Sequence, residues 1–179
     1  MEKALKVYED HPQVELIGLG FIAYYNVLGV HRQIARRAME REGIAQLEPD
    51  RWYRRQLLLD VLRAVESRGD APTLFGVGKE LAMVNPIPRE ITTFDQYLEA
   101  SPLLYPLSQR NLPAHDFIRV ERDGGTWLYS NHTPWPSQFS RGYLRQMAQR
   151  FHPGRSLVME LVRGAEDSFG RTFRLSWQE

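Results

Sequence analysis

AHDFIRVERDGGTWLYSNHT at 114–133, SQFSRGYLRQMAQRFH at 137–152 and RSLVMELVRGAEDSFGRTFRLSW at 155–177 decide the fold of this chain. Phe117, Ile118 and Val120 lead into Asp123-Gly124-Gly125, a hairpin turn, and Trp127, Leu128 and Tyr129 form the return strand. Pro134 and Pro136 force a bend before a helix from Gln138 to His152. There Phe139, Tyr143, Met147 and Phe151 recur every four residues as one apolar stripe. Leu157, Met159 and Leu161 alternate on a third strand, and Phe173, Leu175 and Trp177 on a fourth. The pattern predicts hairpin, helix, hairpin: a four-stranded antiparallel sheet with a helix against it.

Upstream the signals are helical. Val27, Leu28, Val30, Ile34, Ala35, Ala38 and Met39 predict one amphipathic helix within 14–43 that ends near Gly43. A second helix is expected from Pro49 and Asp50, through Trp52, Tyr53, Leu57, Leu58, Val61, Leu62 and Val65, to a stop at Gly69. A third runs from Pro72 to Met83, ended by the NPIP at 85–88. The fourth opens with the capping box Thr93-Phe-Asp-Gln96 and is expected to kink or break at Pro102. The fold class expected is α+β, N-terminal helices packed on a C-terminal sheet. It forms a single domain over 1–179, with an N-terminal arm at 1–13, a helical part at 14–113 and a sheet part at 114–179.

The 179 residues balance 23 Lys and Arg against 22 Asp and Glu. Only Lys3, Lys6 and Lys79 are lysines, and no basic patch is concentrated enough for nucleic acid. Arg32, Arg36, Arg37 and Arg41 read as a solvated helix face. Cysteine is absent, which excludes disulfides, thiolate metal sites and cysteine nucleophiles. The opening MEKALKVYEDHPQ has no apolar core, and no run is long enough to span a bilayer, so a cytoplasmic location is expected.

Catalytic signatures are missing. The glycines of FGVGKEL do not make a phosphate loop, and no nucleophile elbow appears. His11, His31, His115, His132 and His152 show no metal-ligand spacing, so no metal is expected. His115-Asp116 offers a polar handle for a pocket. The aromatic residues are spread over most elements, and an apolar cavity with a few phenolic or imidazole groups is how small-molecule sites are built.

YSNHTPWPSQFSRG, the following helix, LVMELVRG, Gly170 and FRLSW together resemble one superfamily. It holds the 4-vinyl reductase domains, the haem nitric-oxide-binding domains and the small subunits of the TRAPP trafficking complex. The resemblance covers 114–178 well and the helical part in outline. It implies a helical layer over an antiparallel sheet, a cavity between them and a tendency to dimerise. The haem branch carries its proximal His on the helix before the first hairpin, where this chain reads LEASPLLYPLSQRN; His115 lies just downstream. Its propionate motif YxSxR is not reproduced, since Tyr129 is followed by Asn131 and Thr133 where the motif has Ser and Arg. The cysteines that hold zinc in many 4-vinyl reductase domains have no counterpart in VRGAEDSFGRTF, nor has the acylated Cys of the TRAPP branch.

The expected function is a non-enzymatic, cofactor-free sensor. It would bind an apolar or aromatic small molecule through Tyr105, His115, Phe117, Trp127 and Tyr143 and signal to a partner protein, as a homodimer. A TRAPP-like structural adaptor and a haem gas sensor are the alternatives.

Overall fold

The computed structural model describes residues 7–68 and 71–178. Gly69, expected to stop the second helix, and residues 1–6 of the expected arm lie outside the described residues. The sheet part follows the sequence pattern closely. Strands β4 (Phe117–Asp123), β5 (Thr126–His132), β6 (Leu157–Arg163) and β7 (Arg171–Trp177) are all antiparallel, in the order β4-β5-β7-β6. Asp123 pairs with Thr126 across Gly124-Gly125, and Gly124 takes the left-handed φ of 59° that such a turn demands. On the inner face Trp127, Tyr129 and Asn131 stand beside Arg171, Phe173 and Leu175.

Helix α6 (Ser137–Phe151) lays Phe139, Leu144, Met147 and Ala148 inward. Its N-cap is Pro136, whose side chain caps nothing. The cap comes instead from the loop between β6 and β7, where Asp167 Oδ1 accepts from the Ser137 N–H and the Asp167 N–H donates to Ser137 Oγ. A carboxylate at the positive end of a helix is favourable, so this long-range contact fixes the loop and starts the helix together.

The helical part departs from the periodicity reading in three places. The first expected helix is broken: strand β1 (Glu15–Ile17), helix α1 (Gly18–Val27), a 3₁₀ turn at Gly29–His31, then helix α2 (Arg32–Arg41). Gly29 at φ 54° makes the corner, and apolar spacing alone could not reveal it. Trp52 and Tyr53 belong to strand β2 (Trp52–Arg54), and helix α3 (Arg55–Arg68) starts later than Pro49 suggested. With β3 (Gln109–Arg110) these short strands form a second sheet, β2-β1-β3. Helix α4 (Ala71–Val84) ends before NPIP as expected.

Helix α5 (Phe94–Leu104) keeps its capping box but runs unbroken through Pro102. Pro102 has no N–H for the carbonyl of Leu98, and Ser101 Oγ donates to that carbonyl at 2.7 Å instead. The helix gives way to a 3₁₀ turn only at Tyr105–Ser108.

The core has two lobes. One gathers α1 to α4 with Trp135 and Phe139. The other lies between the sheet, α5 and α6. Helices α4 and α6 join the lobes through two glycines. A Cβ on Gly78 would stand 2.1 Å from the Phe139 carbonyl oxygen, and one on Gly142 2.0 Å from that of Phe75. No other residue permits that approach.

Candidate functional site

Arg55 opens α3 and its side chain is fully buried. Its five N–H donors are all used. Nε donates to Asp10 Oδ2 at 2.7 Å and Nη2 to Asp10 Oδ1 at 2.6 Å, a two-point grip. Nη2 also bonds Asp116, while Nη1 reaches Tyr105 Oη at 2.9 Å and the Gln109 side-chain carbonyl. Tyr105 Oη donates to the other oxygen of Asp116 at 2.8 Å. Five segments therefore meet on one guanidinium: the N-terminal stretch, α3, the turn after α5, β3 and the approach to β4. Burial pushes the Asp116 carboxyl above the usual carboxylate range, although Arg55 and Tyr105 pull it down, and Asp10 adds to the rise. Burial works against the charge on Arg55 too, but its bonds to Asp10 and the nearby Tyr105 and Asp116 raise its pKa further.

A second fully buried arginine, Arg171, sits on β7 opposite Asn131. Nη1 donates to the Ser168 carbonyl at 3.0 Å, and Nη2 to the Trp135 carbonyl at 2.5 Å and to Ser140 Oγ at 3.4 Å. No carboxylate oxygen bonds it among the described residues, and Nε has no partner. Burial lowers its pKa, with Asp167 opposing the shift. The only other buried side-chain polar atom without a partner among the described residues is His11 Nδ1. His11 follows Asp10 and donates its backbone N–H to the Asp10 carboxylate.

Trp135 separates the two arginines. The Arg55 guanidinium lies 5.8 Å from its ring centroid, and Arg171 bonds its carbonyl. Tyr24 of α1 stacks on Trp135 at 5.4 Å and on Phe139 at 5.6 Å. Tyr143 continues the row, accepting from Asn85 Nδ2, with its Oη 3.4 Å from that of Tyr97. These rings fill the seam between the lobes. Burial raises the phenol pKa values of Tyr24, Tyr97 and Tyr143, so all three stay neutral at ordinary pH.

The five residues singled out in the sequence do not converge. Tyr105 is in the Arg55 cluster and Tyr143 in the seam. Phe117 stacks on His132 at 4.3 Å, and His115 packs edge-on to Phe169. Trp127 is at the other end of the sheet, its Nε1 donating to Asp95 at 2.9 Å beneath Arg122. A depression of about 190 Å³ opens there, lined by Phe94, Asp95, Arg122, Trp127, Leu175 and Trp177. Another of about 210 Å³ lies on the outer sheet face around Leu128, Ser130, Thr172 and Arg174. Arg55, Arg171, Trp135 and Tyr24 were not picked out. A charged residue at a helix start reads as surface, and only the tertiary pairing tells otherwise.

No protein-family model matches this sequence, and the comparison with curated proteins finds no match either. Solved structures do match. An H-NOX protein from S. oneidensis in the Fe(II)NO state is 12% identical, with a TM-score of 0.68 over 92% of this chain and 100% of that one. An unliganded Fe(II) H-NOX variant from K. algicida is 15% identical, with a TM-score of 0.66 over 92% of this chain and 97% of that one. An oxygen-binding H-NOX domain related to soluble guanylate cyclases, in its oxygen complex, is 9% identical, with a TM-score of 0.57 over 89% and 93%. The fold is therefore H-NOX-like, in line with the haem branch of the resemblance. The expectation of a cofactor-free domain is corrected by the same comparison, since Fe(II) H-NOX proteins are among the structures matched and another match is described by its haem redox potential and porphyrin distortion.

Proposed function

We propose that this chain is a haem-dependent sensor domain on the H-NOX fold. The observation that carries the reading is a structural likeness that spans nearly the whole of both chains. Haem requires a donor to its iron, a cation for its propionates and room for its ring. The two orphaned buried atoms are of the first two kinds. Arg171, with Nε unpartnered and no bonded carboxylate, is suited to a propionate. His11 Nδ1 is an imidazole nitrogen free to ligate. Helix α5 carries no His, and at the motif positions Thr133 donates its N–H and Oγ1 to Asn131 Oδ1. Room is the requirement the packed seam does not meet, because Tyr24, Trp135, Phe139 and Tyr143 occupy it.

Bound haem iron supplies a coordination position for a diatomic gas. The work of this chain is to hold two arrangements: the closed seam described above, and one in which Tyr24 and α1 stand away from Trp135 and Phe139. A ligand shifts such a pair only by its differential affinity, and a partner protein reads the shift. Of the five residues named from the sequence, Tyr143 packs on this seam and is proposed to line it, while Tyr105 belongs to the Arg55 cluster.

Haemin titration with absorption detection tests the reading. A saturable Soret band at one equivalent is expected. Arg171→Gln should weaken binding by about tenfold, the loss of one charge-assisted bond. His11→Ala should move the band without abolishing the fold. A titration indistinguishable from free haemin rejects haem as the cofactor.

A further inference from the structure

Residues Leu16 to Val30 contain no charged side chain. Most of them form α1, a helix apolar on every side, and such a helix is ordinarily buried all round. Here only Gly18 and Phe21 of the helix are buried, with Leu28 just beyond it. Ile22, Ala23, Tyr24, Tyr25 and Val27 pack only partly on the core, and the exposed apolar side chains are Leu19 at the start of α1 and Val30 just past its end. Leu19 is 62% exposed, and Val30, at the tip of the Gly29–His31 turn, is 90% exposed. The next helix is its electrostatic opposite. Helix α2 reads RQIARRAMER, four arginines to one glutamate, and only Arg36 pairs with that Glu40. Arg32, Arg37 and Arg41 have no carboxylate partner among the described residues. Arg32 joins the two surfaces, its guanidinium 5.5 Å from the Tyr25 ring and donating to the Asn26 carbonyl at 2.9 Å.

We propose that this α1–α2 corner is a contact surface for an anionic lipid membrane. The exposed Val30 tip supplies shallow insertion, Tyr25 an interfacial ring, and the unpaired arginines attraction to lipid headgroups. An exposed valine tip beside unpaired arginines fits a diffuse anionic surface better than the seated anchor of a tight protein interface. A symmetric second copy is disfavoured because it would bring like-charged α2 helices together. Glu15, Glu40 and Glu42 are the acidic groups nearest in sequence, and Glu15 and Glu42 are spent on Arg110 and Arg54. Glu40 is paired with Arg36, and Asp50 lies in the loop against the far, Leu19 end of α1. No described helix is long and apolar enough to cross a bilayer, so the contact is peripheral.

Vesicle sedimentation of the full chain tests this, with phosphatidylcholine alone or with about 30% phosphatidylserine, at about 0.1 M and 0.5 M salt. Binding to the anionic vesicles alone is expected, weakened severalfold by the higher salt. Val30→Asp should lower affinity by roughly tenfold, and the double reversal Arg32→Glu with Arg37→Glu by on the order of 100-fold. Val162→Asp, at another exposed apolar site, should leave binding unchanged. All these positions are solvent-exposed, and circular dichroism confirms that each variant is folded. No binding to anionic vesicles overturns the proposal, as does binding indifferent to Val30→Asp. A dimer in sedimentation velocity that Val30→Asp dissolves would assign the face to a second copy and overturn it too.

Discussion

Arg55 and Arg171 are both wholly buried, yet they are neutralised in opposite ways. Arg55 lies between two carboxylates, with every donor spent. Arg171 has carbonyl oxygens and a hydroxyl, and its Nε has no partner. The first joins five segments that are distant in sequence, which is the arrangement of a tie. The second fastens two loops and leaves its Nε unpartnered, the atom that the proposed propionate contact would use. A buried charge thus serves structure when it is over-compensated and becomes available for binding when it is under-compensated.

That contrast can be broken most forcibly at Arg55. Arg55→Met strands Asp10 and Asp116 in the interior and should cost about 3–5 kcal/mol in urea unfolding. Arg171→Met strands only carbonyl groups and should cost less, about 1–3 kcal/mol. Equal losses would show that the two arginines do the same work. Tyr105→Phe removes one donor to Asp116 and one acceptor from Arg55, for about 1 kcal/mol, and its coupling to Asp116→Asn in a double-mutant cycle should be measurable.

The gentlest probe is pH. The folded Asp116 carboxyl is held above its ordinary value of 3.8, so the folded state binds that proton more tightly than the unfolded one. Its contribution is complete below that ordinary value and is lost as pH rises through the folded value. Stability should therefore slope downward with rising pH in that window, by at most about 1.4 kcal/mol per unit from this one group. Asp116→Asn should flatten the slope. An unchanged slope would place the excess proton elsewhere in the cluster.

The sheet part was legible because its strands alternate cleanly and its turn is written in Asp123-Gly124-Gly125. The Thr93–Gln96 capping box and the Phe139–Phe151 stripe were equally plain. The helical part was not, for local reasons. Trp52 and Tyr53 are as apolar as a helix face, and only pairing with Ile17 and Leu16 makes them a strand. Pro102 looked like a break because the Ser101 hydroxyl that satisfies Leu98 is invisible to propensity. Of the site, Tyr105 and Asp116 were noticed, but the arginine that organises them was not, since Arg55 lies 61 positions before Asp116. Cofactor content was misread from missing motif residues, and the likeness that corrected it is one of shape.

The glycines of FGVGKEL, dismissed as a nucleotide loop, have a different meaning in the kinematics of the molecule. With Gly78 and Gly142 pressed backbone to backbone, α4 and α6 have no side chains between them at their crossing. That fixes their separation at the crossing, and Arg150, bonded to the Ala82 carbonyl, holds the two helices together further along. If the seam at Tyr24 opens as proposed, the α4–α6 pair is the part expected to stay put. Probes placed across α4 and α6 would then hold a constant distance while probes on α1 and β5 part.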